Sequence, residues 1–380
     1  MIKPVGAACN LACKYCYYLE KASYYPGSRM RMDDETLERV TAAYLQTSPA
    51  PEVVFGWQGG EPLLAGLEFF HHALELQVRY ARPGQRVVNA LQTNATLVTG
   101  DWADFFAEHG FLVGVSVDGP PELHDWHRID RTGHPTHERV VAGLRTLQNR
   151  GVECNALVAV NRANADQPLK VYRHLTELGF QHLQFIPVVE RESPQSRKVT
   201  SWSARPEAFG AFLCDIFDHW ARTDVGRVFV QLFESALSVW SGGMPTLCVF
   251  APTCGCALAV EHNGDLYACD HFVYPEFLRG QVARGTLAAL VEGPEQRSFG
   301  LAKADLPEQC HSCAVRRFCG GDCPKHRLRV SRDGKPLSYL CQAYRRFFTH
   351  SAQVLEAMAH EVRAGRPAAN VMLALRDAPR

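Results

Sequence analysis

The chain lacks a charge bias. Its 380 residues carry 40 Lys and Arg against 40 Asp and Glu, a formal net charge of zero. Proteins that gather nucleic acid or steer anions by their overall field need an excess of positive charge, so the balance argues against both classes. Long apolar runs are missing too. No stretch approaches the roughly 18 uninterrupted apolar residues of a spanning helix, so no membrane segment is expected. The opening MIKPVG reaches Cys9 without a basic region and an apolar run of about 7–15 residues, so no signal peptide is expected and a cytoplasmic location follows. Composition excludes disorder: 46 % hydrophobic and 21 % charged residues are ordinary for a folded chain. The length allows one large domain or two ordinary ones.

What the chain has in quantity is cysteine, 14 residues in all. In a reducing compartment these read as metal or redox ligands, not as a disulfide scaffold. Their distribution is uneven. Cys9, Cys13 and Cys16 crowd one short loop, nine more lie from Cys248 to Cys341, and the middle holds only Cys154 and Cys214. Those two fall in a strand and a helix candidate and read as inert core thiols.

The first half alternates short apolar segments with helical ones. Strands are expected at Ile2–Val5, Glu52–Trp57, Arg86–Leu91, Phe111–Val117, Glu153–Val160 and His182–Pro187. Helices are expected at Asp33–Gln46, Leu67–Ala81, Asp101–His109, Thr136–Arg150 and Ala165–Leu178. Asp33 and Asp101 stand where an N-cap or first-turn acid belongs, and Gly110, Gly151 and Gly179 where a helix stops. Six β/α units in series imply an α/β fold with a parallel sheet, an incomplete barrel instead of a closed eight-fold one. Such folds gather their chemistry at the C-terminal ends of the strands. The three-Cys loop, Gly59–Gly60–Glu61, Thr93–Asn94 and Asp118–Gly119 all follow strands and face one mouth in this reading. Two further helices are expected at Pro206–Arg222 and Val228–Trp240, and a closing helix from Leu340 to about Arg363. The expected organisation is a barrel over 1–205, a helical region over 206–247, a Cys-rich domain over 248–348, and a C-terminal helix and tail over 349–380.

The first cluster has the spacing Cys9-x3-Cys13-x2-Cys16. Three thiolates can hold three irons of a cubane and leave the fourth iron open to substrate, whereas structural zinc and iron–sulfur sites are closed by four protein ligands. A zinc site completed from elsewhere is the bland alternative. The second region reads Cys248-x5-Cys254-x14-Cys269 and then Cys310-x2-Cys313-x5-Cys319-x3-Cys323-x17-Cys341, with Cys256 left over. Eight thiolates suffice for two closed clusters, and equally for a pair of zinc ribbons.

CxxxCxxC after a first strand, with Tyr15 before its last Cys and Gly59–Gly60–Glu61–Pro62 after the next strand, resembles the radical S-adenosylmethionine (SAM) superfamily. The later cysteines resemble its SPASM extension, and WQGGEPLLAGLEFF, LQTNATL and NGDLYACDHFVYPE resemble the anaerobic sulfatase-maturing enzymes. The resemblance covers Ile2 to about Phe348. It implies a partial (β/α)6 TIM-like barrel with a Cys-rich SPASM domain, three [4Fe-4S] clusters, and SAM chelated by the open iron of the Cys9/Cys13/Cys16 cluster. It further implies auxiliary clusters on Cys248, Cys254, Cys269 and Cys323, and on Cys310, Cys313, Cys319 and Cys341. Gly59, Gly60 and Glu61 would meet the SAM amino group. Thr93, Asn94, Ser116 and Asp118 either bind SAM or substrate or cap local turns, and Arg128 either pairs with the SAM carboxylate or is a surface residue. Tyr18 and Gln58 are implied substrate contacts.

The implied reaction oxidises a Cys or Ser of a sulfatase polypeptide to Cα-formylglycine through a 5′-deoxyadenosyl radical, with Asp270 as base. The partners would be an unfolded sulfatase segment with a Cys/Ser-x-Pro-x-Arg motif and an electron donor such as flavodoxin or ferredoxin. A related SPASM enzyme that crosslinks a ribosomal peptide fits the same motifs, as does, from another class, a zinc-ribbon scaffold. Iron at about 12 per chain separates the enzymes from the scaffold.

Overall fold

The computed structural model describes residues 1–376 except 194, 256 and 284–286, so the spare Cys256 lies outside the described residues. Six strands form one sheet: β1 (Glu52–Trp57), β2 (Arg86–Thr93), β3 (Leu112–Ser116), β4 (Cys154–Val160), β5 (His182–Pro187) and β6 (Phe229–Val230), in the order β1-β2-β3-β4-β5-β6. The pairings β1–β2, β2–β3, β4–β5 and β5–β6 are all parallel. A helix follows each strand: Leu67–Tyr80, Gly100–Glu108, His137–Gln148, Pro168–Glu177, Pro206–Thr223 and Gln231–Trp240. Strand order that tracks chain order without doubling back is the winding of a barrel, not of a doubly wound sheet. Six such units make the expected partial barrel. Among the described residues, no helix is long and apolar enough to cross a membrane.

The chain divides into two compact units. One comprises Met1–Ser116, His127–Cys154 and Cys256–Gly300; the other comprises Val117–Trp126, Asn155–Gly255 and Leu301–Arg380. In the first, Val53, Phe55 and Trp57 alternate inward along β1, and Trp57 meets Phe70 of the following helix at 5.4 Å between ring centroids. Each such buried side chain contributes about 1.5–3 kcal/mol. In the second, helix Cys341–His350 buries Tyr344, Phe347 and Phe348 on one face, where Phe217 of Pro206–Thr223 meets Phe347 at 5.8 Å. That packing fixes Cys341 at the first position of its helix.

Helix starts and stops largely follow the expected signals. Asp33 caps Asp34–Thr47 by accepting from the Thr36 amide, Asp101 lies in the first turn of its helix behind the N-cap Thr99, and Gly110, Gly151 and Gly179 all have positive φ. Three expectations change. Ile2–Val5 is not a strand: Ile2 alone bridges Trp57 and Val260. Pro4 has no amide to continue a ladder, and Lys3 turns inward to Asp270. The helix expected from Val228 starts at Gln231, because Phe229 and Val230 pair with His182 and Leu183 as β6. The closing helix is two helices, Cys341–His350 and Ala352–Arg363, parted at the fully buried Ser351, whose hydroxyl bonds back to the Phe347 carbonyl at 2.9 Å.

Candidate active site

In the first unit the three-Cys loop is laced to the turn after β1 by backbone alone. The amides of Gly60 and Glu61 donate to the carbonyls of Gly6 and Ala8, both at 2.8 Å. The approach admits no side chain, since a Cβ on Gly60 would lie 1.8 Å from the Ala8 oxygen. Residues 127–131 run along the other side. Ala12 and Lys14 donate to the carbonyls of Ile129 and His127 at 2.9 and 3.0 Å, and Arg131 Nε donates to the Cys9 carbonyl at 2.7 Å. Arg128 sits in this strip with its guanidinium 5.5 Å from the Tyr15 ring, and Tyr15 meets His127 edge-on.

The Cys9 sulfur accepts from the Leu11 amide at 3.3 Å and from Asn94 Nδ2 at 3.8 Å. Burial pushes this thiol up to about 11, against those two donors. Asn94 also reaches Asn10 at 2.9 Å, so the end of β2 touches the cysteine loop directly. Glu61 is fully buried, and its two oxygens accept from the Leu63 amide (3.1 Å), the Thr93 hydroxyl (2.8 Å) and the Asn94 amide (2.8 Å). Burial pushes its carboxyl up to about 7 despite these donors. Glu61 and Thr93 are thus the brace between the ends of β1 and β2. Ser116 ends β3 half-buried. Asp118 belongs to the second unit, where its Oδ1 accepts from the Ala159 amide at 2.9 Å.

Asp270 lies in the first unit, next to Cys269, and is buried. Lys3, itself fully buried, is ion-paired to its Oδ1. Its Oδ2 accepts from the Tyr17 hydroxyl at 2.5 Å and from Gln58 Nε2 at 3.4 Å. Burial raises this carboxyl, but Lys3 first, then His271 and the Tyr17 hydrogen bond, outweigh it and hold it well below the usual carboxylate range. The other amide atom of Gln58, Oε1, is buried and has no hydrogen-bond partner among the described residues, an acceptor left over at the site. Tyr18 does not reach Asp270. Its hydroxyl donates to the buried Glu261, its ring lies 4.4 Å from the Lys3 ammonium, and it packs with Ala7, Ala259, Tyr267 and Val273. Lys3 and Tyr17 had no motif to announce them.

The second unit holds seven of the later cysteines: Cys248, Cys254, Cys310, Cys313, Cys319, Cys323 and Cys341. Burial raises the thiols of Cys310, Cys319 and Cys341. Cys310 also feels Cys341 and Cys313, Cys319 feels Cys341 and Cys310, and Cys341 feels Cys313. These four therefore share one neighbourhood. Gly320, at φ 56°, carries the chain past the Phe250 carbonyl, which a Cβ would meet at 2.2 Å. A second neighbourhood surrounds Lys303. Burial lowers the pKa of this ammonium, while Cys254, Cys323 and Cys248 act to raise it. Asp322 is fully buried at φ 62° and bonds the Cys323 amide (2.6 Å), the Ser338 hydroxyl (2.7 Å) and His326 (3.1 Å). It stands beside both sets of thiols.

All 13 described cysteines are free thiols. No three His, Cys, Asp or Glu side chains among the described residues converge on a point as one metal ion requires; thiols that each hold one corner of a cubane do not converge either. The donor set fits iron–sulfur clusters: soft thiols in three groups, with amide donors on the Cys9 sulfur and a buried ammonium beside the Cys248, Cys254 and Cys323 group. Cys154 and Cys214 stand apart from this chemistry, pushed by burial to about 12 and about 11.

Comparison with known proteins agrees with this geometry. Residues 4–175 match the radical SAM superfamily, and residues 248–314 match SPASM, an iron–sulfur cluster-binding domain. The chain is 43 % identical over 393 aligned positions to the serine-type anaerobic sulfatase-maturating enzyme of Bacteroides thetaiotaomicron, covering 99 % of this chain and 95 % of that protein. It is 32 % identical to the cysteine-type enzyme of Clostridium perfringens strain 13, covering 96 % and 98 %. The solved structure of native anSMEcpe with bound AdoMet and a peptide superposes with a TM-score of 0.87 at 33 % identity, over 95 % of this chain and 98 % of that one. Likeness of this extent runs from one end of the chain to the other, through both cysteine regions, and the chain belongs to the anaerobic sulfatase-maturating enzymes of the radical SAM superfamily.

Proposed function

We propose that this chain oxidises a serine side chain of an unfolded sulfatase segment to Cα-formylglycine, with Asp270 as the base. The observation that carries the assignment of the base is the buried Asp270 carboxylate, clamped by Lys3, Tyr17 and Gln58 beside Cys269. Serine is favoured over cysteine by the 43 % identity to a serine-type relative against 32 % to a cysteine-type one.

Cys9, Cys13 and Cys16 would hold the SAM-binding cluster. Cys248, Cys254, Cys269 and Cys323, and separately Cys310, Cys313, Cys319 and Cys341, would hold the auxiliary pair. When bound, these groups would supply the radical chemistry at the target Cβ and an acceptor for the electron released. The chain's own residues do the rest. An alcohol whose carbon has lost a hydrogen atom is far more acidic than the parent alcohol, so a carboxylate kept ionised at rest can take its proton. Lys3 keeps Asp270 ionised, Tyr17 and Gln58 Nε2 fix its plane, and Gln58 Oε1 is free to accept from the incoming peptide. Gly59, Gly60 and Arg128 are assigned to SAM, whereas Glu61 and Thr93 act by bracing the turn that presents them. Tyr18 acts on substrate only through Lys3, whose ammonium its ring covers. The substrate motif Cys/Ser-x-Pro-x-Arg and a flavodoxin or ferredoxin as reductant belong to the same proposal.

The test is an anaerobic assay with SAM, dithionite and two synthetic peptides that differ only in Ser or Cys at the target position, read by mass spectrometry. Conversion of the Ser peptide to aldehyde at a rate at least equal to the Cys peptide is expected. Conversion of the Cys peptide alone would overturn the serine assignment, and aldehyde from neither would overturn the whole reading.

A further inference from the structure

Lys303 is fully buried, and its ammonium donates to the carbonyls of Cys248 and of Val249, the latter at 3.1 Å. Its own carbonyl is tied down by Arg327 Nη2 at 2.7 Å. No carboxylate lies within ion-pair distance of it among the described residues. The nearby acid, Asp322, is engaged by His326, Ser338 and the Cys323 amide. A buried ammonium needs a counter-charge, and two carbonyl dipoles are a poor substitute for one. The groups that bear on it are, in order, the thiols of Cys254, Cys323 and Cys248 and then the carboxylate of Asp322. A cluster held by thiolates is anionic in both redox states and gains one further negative charge when reduced.

We infer that Lys303 is a redox-tuning residue: a fixed positive charge buried against the cluster held by Cys248, Cys254 and Cys323, which stabilises its reduced form and makes it the better electron acceptor. This rests on the cluster assignment proposed above. Lys303 touches neither substrate nor SAM, and it acts on the reaction through the potential of the group it faces. The ammonium is also placed to hold the Cys248–Val249 turn, and the experiment separates the two roles.

The full chain, prepared anaerobically with its clusters, is compared with Lys303→Gln, Lys303→Met and Lys303→Arg by iron and sulfide analysis and by potentiometric titration followed by electron paramagnetic resonance. Both neutral variants should keep the wild-type iron content. One auxiliary cluster in each should become harder to reduce by at least about tenfold in its reduced-to-oxidised ratio, about 59 mV for one electron. The other clusters should not move, and Lys303→Arg should stay within about threefold of wild type. Unchanged potentials in iron-replete neutral variants would overturn the inference. Loss of one cluster's iron from both neutral variants would overturn it too, since Lys303 would then be a structural clamp. A wild-type chain with far fewer than about 12 irons would instead remove the cluster assignment on which the inference stands.

Discussion

The two cysteine regions differ in the charges that bear on their thiols. Around Cys9 the charged groups that bear on the thiol are Glu61 and Cys16, both of which oppose a thiolate, and the help comes from neutral amides. In the second region Cys254 feels Lys303 and Arg327, Cys310 feels Arg327 and Arg316, and Cys341 feels Arg345 and Arg329, with the buried Asp322 opposing the thiolate at Cys319 and Cys341. Cluster potentials follow local charge, hydrogen bonding and exposure. Acidic surroundings make an electron easy to give away, and basic surroundings make one easy to accept. In the proposed assignment the same ligand chemistry would serve two tasks, starting a radical reaction and ending it.

The largest effect should come from deleting the first site outright. Replacing Cys9, Cys13 and Cys16 with Ala should abolish 5′-deoxyadenosine formation while about eight irons stay bound, as chromatography and metal analysis would show. If the auxiliary iron left as well, the two regions would not be independent and the contrast would collapse. Next comes Asp270→Asn, which leaves both cysteine sets in place. SAM cleavage should persist while aldehyde falls by about 10²–10⁴-fold. Parallel losses of both products would mean that Asp270 supports the radical step and not the proton transfer.

A smaller effect concerns the acid that distinguishes the first region. Burial sets the Glu61 pKa at about 7, above the ordinary 4.5. A raised acid binds its proton more tightly in the folded chain, so its contribution is complete below about pH 4.5 and is lost as pH rises through 7. The loss is on the order of 3 kcal/mol. Between about pH 5 and pH 8, wild-type stability against urea should therefore fall by more than that of Glu61→Gln. Equal slopes in the two proteins would show that Glu61 stays ionised, held by Leu63, Thr93 and Asn94.

What was legible in the sequence was local. CxxxCxxC, GGEP and the later Cys spacings each place ligands within one loop, and their meaning survives without knowledge of the fold. The strand and helix units were legible for the same reason, since periodicity is a property of neighbours. Lys3 and Asp270, by contrast, stand 267 residues apart and meet only once the sheet is built. Lys303 and Cys248 are separated by 55 residues. Neither lysine has a spacing, a repeat or a neighbour that distinguishes it from a solvated surface charge. The errors in the elements have a similar origin. Phe229 and Val230 look helical beside Gln231–Trp240, and only the edge of β5 makes them a strand. Tyr17 and Tyr18 are adjacent, and which of them reaches Asp270 depends on the direction the chain takes after Cys16.

The lacing of the first cysteine loop bears on how the proposed cluster would survive oxygen. Its shape depends on peptide groups, with Gly60 and Glu61 holding Gly6 and Ala8 and the strip near Ile129 holding Ala12, and none of these bonds involves sulfur. The loop is a mould that outlasts its casting. If these three thiols hold the proposed cluster, iron and sulfide returned to the reduced protein would meet a loop already shaped by its backbone, so the site would be refilled without refolding.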